Sequence, residues 1–263
     1  MAQEISQQDG HFVQLYSGCS ESLARNVSRF VLEGRARGEG SVLIASSALR
    51  ATFKRRFRAD GWADYALGQG LIFLDAEETM AQFMRDGRPG WSRFERIISA
   101  TLQKVRENSG SVQLRAFGDM VGVLWLQGQY SAAIELEHFW NRLLEFHRVH
   151  LFCAYPVDIF GRQFDGATLD AMLCTHSHLL ASAEADEIHF AVDRAIEETL
   201  GSKARSLRAR MIDHPIQRMC GLPAAERAIL WIRTNLPEHA DEILSRGRRY
   251  YRAATEIQLA SAS

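Results

Sequence analysis

The sequence holds no apolar run approaching the about 18 residues that a membrane-spanning helix needs, and no basic start followed by an apolar stretch of the kind that marks a secretory signal. Neither a membrane protein nor an exported one is expected. Cysteine is scarce. Cys19, Cys153, Cys174 and Cys220 are scattered and form no C-x-x-C pair, which predicts reduced thiols in a cytoplasmic protein. An overall excess of either charge is missing too: the net charge is −1, which excludes bulk attraction to polyanions. The balance is uneven along the chain, however. Between Gly201 and Arg252 eleven Lys and Arg face five Asp and Glu, a local charge of +6 that leaves −7 elsewhere. Such asymmetry predicts a basic appendage on an acidic main domain, its charge spread over a solvated helical face. Nucleic acid is not expected as its partner.

What is present is a regular alternation. Short runs rich in Val, Ile, Leu and Phe occur at His11–Tyr16, Ser41–Ala45, Leu71–Leu74, Val112–Phe117 and Val149–Ala154. Between them lie segments long enough for crossover helices. This is the pattern of βαβ units, and it predicts an α/β fold with a parallel sheet and helices on both faces. Ser20 is placed to cap a helix running through Gly34, with Leu23, Val27, Phe30 and Val31 on one side. Asp75 and Glu78 resemble a capping box. Ile134, Leu136, Phe139, Trp140, Leu143 and Leu144 form the apolar stripe of another helix. A helix is predicted over Asp165–Leu180, and two more around Asn235–Pro237. The expected organisation is a frayed stretch over residues 1–10, a main domain over 11–183 and a basic helical extension over 184–263.

In open parallel sheets ligands bind beyond the carboxyl ends of the strands. Those ends deliver Tyr16-Ser17-Gly18, Ser46-Ser47, Asp75, Gly118-Asp119 and Tyr155-Pro156. Ser46, Ser47 and Asp75 could equally serve as helix caps, whereas Asp119, which follows a glycine at a strand end, is harder to explain that way. The first strand-to-helix turn, Tyr16 to Leu23, lacks the second glycine and the lysine of a phosphate loop, and it carries Glu21 where a phosphate would be repelled. ATP hydrolysis at this turn is not expected. Cys153 reads as a buried structural thiol. In Cys174-Thr175-His176-Ser177-His178 only Cys174 and His178 would share a helical face, so no metal site is expected there. Glu135 and Glu137, two apart on a helix, do not face each other.

Several of these residues carry a family resemblance. His11-Phe-Val-Gln-Leu-Tyr16, the helix end from Phe30 to Gly38-Glu39, Arg115-Ala-Phe117-Gly118-Asp119-Met120 with Leu124-Trp125, Glu135-Leu-Glu137-His-Phe-Trp140-Asn141, Cys153-Ala-Tyr155-Pro156 and His176 occur in the order seen in the MEDS domain. That sensory domain is named for methanogens, methylotrophs and the dichloromethane-dehalogenase regulator. Its pattern has glutamate after the glycine where this chain has Asp119, a carboxylate one methylene shorter. The resemblance implies a degenerate RecA-like three-layer sandwich, without a phosphate loop, that senses small molecules such as simple hydrocarbon derivatives in bacterial signal transduction. It implies no cofactor and no catalysis, and a partner such as a kinase or transcription regulator; a homo-oligomer is compatible with it. The residues expected to line the site are Tyr16, Arg115, Asp119, Trp140, Tyr155 and His176. Two other readings stand beside this one: a nucleotide-binding protein of weak activity, and a protein-binding scaffold with a vestigial pocket.

Overall fold

The computed structural model describes residues 10–16, 21–62, 70–162, 164, 166–180, 184–212 and 222–261. The predicted Ser20 cap, the Ser17-Gly18 strand end, and the stretch over residues 1–9 lie outside the described residues. Strands and helices alternate as the apolar runs require: β1 (His11–Tyr16), α1 (Glu21–Ala36), β2 (Gly40–Ala45), α2 (Ser47–Ala59), β3 (Leu71–Asp75), α3 (Ala76–Ala81), a small hairpin β4 (Met84–Arg85) and β5 (Arg88–Pro89), α4 (Trp91–Ser109), β6 (Leu114–Gly118), α5 (Met120–Leu126), α6 (Tyr130–Leu144), β7 (Val149–Pro156), α7 (Gly166–Leu173) and β8 (His178–Leu180). Four further helices follow: α8 (Ala185–Leu200), α9 (Ala204–Ile212), α10 (Ala224–Asn235) and α11 (Pro237–Ser261).

The main sheet has the order β3-β2-β6-β7-β1-β8, and every pairing in it is parallel. The order explains the layers. From β1 the chain steps outward to β2 and β3, then returns inside them to β6 and β7. Right-handed crossovers in opposite directions must lay their helices on opposite faces. Accordingly, α1 and α2 cover one face, where Phe30 meets Phe152 and Phe53 meets Phe117 edge to face. On the other face, Phe94 of α4 packs against Trp140 of α6, and Trp140 sits over Gly118 of β6. Both faces are dry, which is why the strands read as continuous apolar runs without polar alternation.

Two sequence expectations are corrected. The strand predicted at Val112–Phe117 begins at Leu114, and Val112 is exposed in the preceding turn. The helix predicted over Asp165–Leu180 ends at Leu173. A turn at 174–177 then leads into β8, which pairs with β1 through Phe12–His178, Val13–Leu179 and Gln14–Leu180. Helical periodicity misreads this stretch because a three-residue edge strand is too short to show its own period.

The coordinates divide into two compact units, Met1–Pro156 with Ala171–Leu180, and Val157–Asp170 with Ala181–Ser263. In the second unit α11 packs along α8, and Arg233 of α10 donates to the carbonyls of Phe160 and Gly161. The helices predicted around Asn235–Pro237 are α10 and α11. Among the described residues no helix is long and apolar enough to cross a membrane.

Candidate functional site

In a strand successive side chains alternate between faces. Since His11 pairs with Leu151, Val13 with Cys153 and Leu15 with Tyr155, the side chains of His11, Cys153 and Tyr155 emerge on one face, the one beneath α6. Helix α6 brings Glu137 to the same place. Trp140 and Asn141 lie three and four residues further on, so Glu137 belongs to the buried stripe. Glu137 is fully buried, as are Cys153 and Tyr155, and His11 is 2% exposed. The turn after α7 adds His176, whose side chain is almost wholly enclosed.

These groups converge on one carboxylate. Tyr155 donates its phenolic O–H to Glu137 Oε1 at 2.6 Å. His11 Nε2 lies 3.2 Å from Oε2, and His176 Nε2 lies 3.2 Å from Oε1. Cys153 Sγ is 3.2 Å from His11 Nε2 and 3.6 Å from Glu137 Oε2. The two imidazole rings stand 4.1 Å apart. Neighbouring groups assign their tautomers. Asn141 donates its Nδ2 to the Thr175 carbonyl at 2.7 Å, so its Oδ1 faces His11 Nδ1 at 2.9 Å and must accept from it. His176 Nδ1 lies 2.9 Å from the Met172 carbonyl, which can only accept. Both rings therefore carry a proton on Nδ1 and turn Nε2 inward.

Burial by itself would raise the Glu137 carboxyl, but His176 and then His11 outweigh it and hold the group well below the usual carboxylate range. Burial pushes the Cys153 thiol up, and Glu137 adds to the shift. The Tyr155 phenol is raised for the same two reasons. His11, Glu137, Cys153 and His176 offer four ligand-type atoms within 4.8 Å of one another, so among the residues discussed they are the set suited to hold a metal ion.

The chain belongs to the MEDS family. The family model described as the methanogen/methylotroph, DcmR sensory domain matches residues 10–177, a span that includes His11, Glu137, Cys153, Tyr155 and His176. No curated protein was found to match the chain.

The six site residues expected from the sequence fall in different places within the MEDS unit. Tyr155 and His176 join the Glu137 cluster. Tyr16 and Asp119 lie at the carboxyl edge of the sheet, where Asp119 accepts from the Ser46 backbone N–H at 3.2 Å. Burial raises Asp119 to about 6 against the opposing hydrogen bonds from Ser46. Tyr16 is raised by burial and then by the Asp119 charge. Ser46 makes no side-chain capping bond, whereas Asp75 caps α3 through the N–H groups of Glu77 and Glu78. Arg115 emerges on the α1 face, donating to Glu39 at 2.6 Å and to the Phe30 carbonyl at 2.7 Å. It pairs with neither Asp119 nor the cluster. Trp140 is core, edge-on to Phe94 at 5.1 Å. None of the six lines the open groove of about 480 Å³ between Gly87-Arg88 and the start of α6. In the segment Cys174–His178, Cys174 is exposed and His178 stacks on Phe12.

Sequence reasoning missed His11, Glu137 and Cys153 as site residues. The available signal was Glu137, a carboxylate in an otherwise apolar helical stripe, together with a histidine opening a buried strand. Glu135, two residues earlier, is exposed, as the helical period requires.

Proposed function

We propose that this MEDS domain is a small-molecule-sensing regulatory domain that acts on a partner signalling protein without catalysis. The observation that carries the reading is the buried Glu137 with His11, Cys153, Tyr155 and His176 around it. A core needs no such group. Well-packed apolar residues would fill the same volume at lower desolvation cost, and sites that break local folding rules are where function concentrates. The non-catalytic part is supported by the two nucleophile candidates. Burial and Glu137 keep Cys153 as a thiol and Tyr155 as a phenol, whereas a nucleophile needs the opposite shift. A ligand acts as a signal here only through unequal affinity for two conformations, and a kinase or transcription regulator reads the difference.

The test compares native and denaturing mass spectra of the purified chain, followed by thermal shift against a panel of short halocarbons, alcohols and amines. A stoichiometric organic adduct in the native spectrum, or a saturable rise in Tm that Glu137→Gln abolishes, is expected. A clean mass together with a flat panel overturns the sensing reading in favour of a scaffold. Magnesium-dependent ATP turnover lost in Asp119→Ala overturns its non-catalytic part.

A further inference from the structure

We propose that His11 Nε2, His176 Nε2, Glu137 Oε2 and Cys153 Sγ bind a divalent transition-metal ion of the zinc class. The argument begins with hydrogens. With both Nδ1 atoms protonated, His11 Nε2, His176 Nε2 and the two Glu137 oxygens all present lone pairs to one small buried space. The hydrogens at hand are the Tyr155 O–H, given to Oε1, and the Cys153 S–H, which can serve His11 or Oε2 but not both. His176 Nε2 is buried without a hydrogen-bond partner. Buried acceptors facing one another without a proton or cation between them are repulsive, and unsatisfied buried polar groups are rare.

Protons or a dication can cure this. One extra proton on either imidazole leaves the cluster neutral, and protons on both leave it at +1 inside the core. One dication with a carboxylate, a thiolate and two neutral imidazoles sums to zero, which avoids an uncompensated buried charge. The spacing favours the dication. Bonds of about 2.0 Å to N and O and about 2.3 Å to S in a tetrahedron put ligand atoms about 3.3–3.5 Å apart; among His11 Nε2, Glu137 Oε2 and Cys153 Sγ the separations are 3.2, 3.2 and 3.6 Å, and His176, whose Nε2 lies 3.2 Å from Oε1, completes a set of ligand atoms within 4.8 Å of one another. The outer partners fit as well. Each imidazole is oriented by Nδ1–H to an amide or backbone oxygen, the arrangement that steers metal-binding histidines, and Tyr155 occupies Oε1 so that Oε2 is left to the ion. A set of two N, one O and one S suits zinc, with four protein ligands closing the coordination sphere. Binding exchanges the Cys153 S–H for a metal–sulfur bond and releases one proton to solvent; no oxidant or reductant is involved.

The inference goes beyond the sensing reading and does not depend on it. The experiment measures metals in the untagged full chain by plasma mass spectrometry, strips the chain with a chelator, and titrates Zn2+ by calorimetry and Co2+ by absorbance. Expected are about one equivalent of zinc, tetrahedral Co2+ bands in the visible, and a sulfur-to-cobalt charge-transfer band that Cys153→Ser removes. Asn141→Ala, which touches only the outer shell, should weaken Zn2+ binding about 10–100-fold. Wild-type chain that is folded by circular dichroism yet takes up no Zn2+ after stripping, and whose Tm does not move with it, overturns the inference without any variant. So does Co2+ binding that persists unchanged in Cys153→Ser and His176→Gln, which would mean an adventitious ion only. An organic adduct without metal removes this inference and leaves the sensing reading; metal without an adduct does the reverse.

Discussion

Glu137 and Asp119 are both buried carboxylates in the sheet unit, and their surroundings move them in opposite directions. Glu137 is held ionised by His176 and then His11, and the Tyr155 O–H donates to it. Tyr155→Phe keeps the ring packed against Trp125 and deletes only that donor. A loss of about 1.5–3 kcal/mol is expected in urea unfolding, the range for a hydrogen bond to a charged group; an unchanged midpoint would mean the bond is not made. Asp119 accepts from Ser46, and burial raises it from 3.8 to about 6. Between these values the folded state binds the proton more tightly than the unfolded one. Stability therefore falls as pH rises from about 4 to about 6 and is level above. Asp119→Asn removes that fall while keeping an acceptor for Ser46. The variant should match the wild type near pH 4 and exceed it at pH 8 by an order of about 3 kcal/mol. Parallel stability curves for the two proteins would contradict the assignment.

The elements show what could be read in the residues. The strands at His11–Tyr16 and Val149–Ala154 were visible because strands dry on both faces need unbroken apolar runs, and α6 was visible from its stripe. β8 was not, since three residues carry no period. Nor was the cluster, whose members lie on β1, α6, β7 and the turn after α7; only the strand order brings them together. The partners of Arg115, Glu39 and the Phe30 carbonyl, come from distant parts of the chain and were not visible either. Close approach between elements is equally invisible in sequence. A Cβ on Gly34 would fall 2.5 Å from Arg115 Cδ, and one on Gly122 of α5 would fall 2.7 Å from the Ala154 carbonyl. Gly122→Ala must push α5 away from backbone, which cannot yield as a side chain does. It should destabilise by about 1–3 kcal/mol, read as a lower urea midpoint with an unchanged slope.

At the scale of the whole molecule, part of the basic surplus over 201–252 is paired within its own unit. Arg208 meets Asp193 and Glu197, Arg246 meets Glu198 and Glu242, and Arg248 meets Asp158. Guanidinium groups already engaged by carboxylates release few counterions from a polyanion. Fluorescence anisotropy with duplex DNA should accordingly show no steep dependence on salt between about 50 and 200 mM; a slope of several contacts would restore a nucleic-acid role. The strand order has a last consequence, for the making of the protein. β1 leaves the ribosome first among the strands, yet its neighbours in the finished sheet are β7 and β8, the last two. The nascent chain must carry β1 with both edges open until nearly the whole unit has been synthesised. Nonlocal pairing of this kind slows folding and exposes intermediates to aggregation, so yield should depend on chaperone supply and temperature during expression more than the stability of the finished fold would suggest.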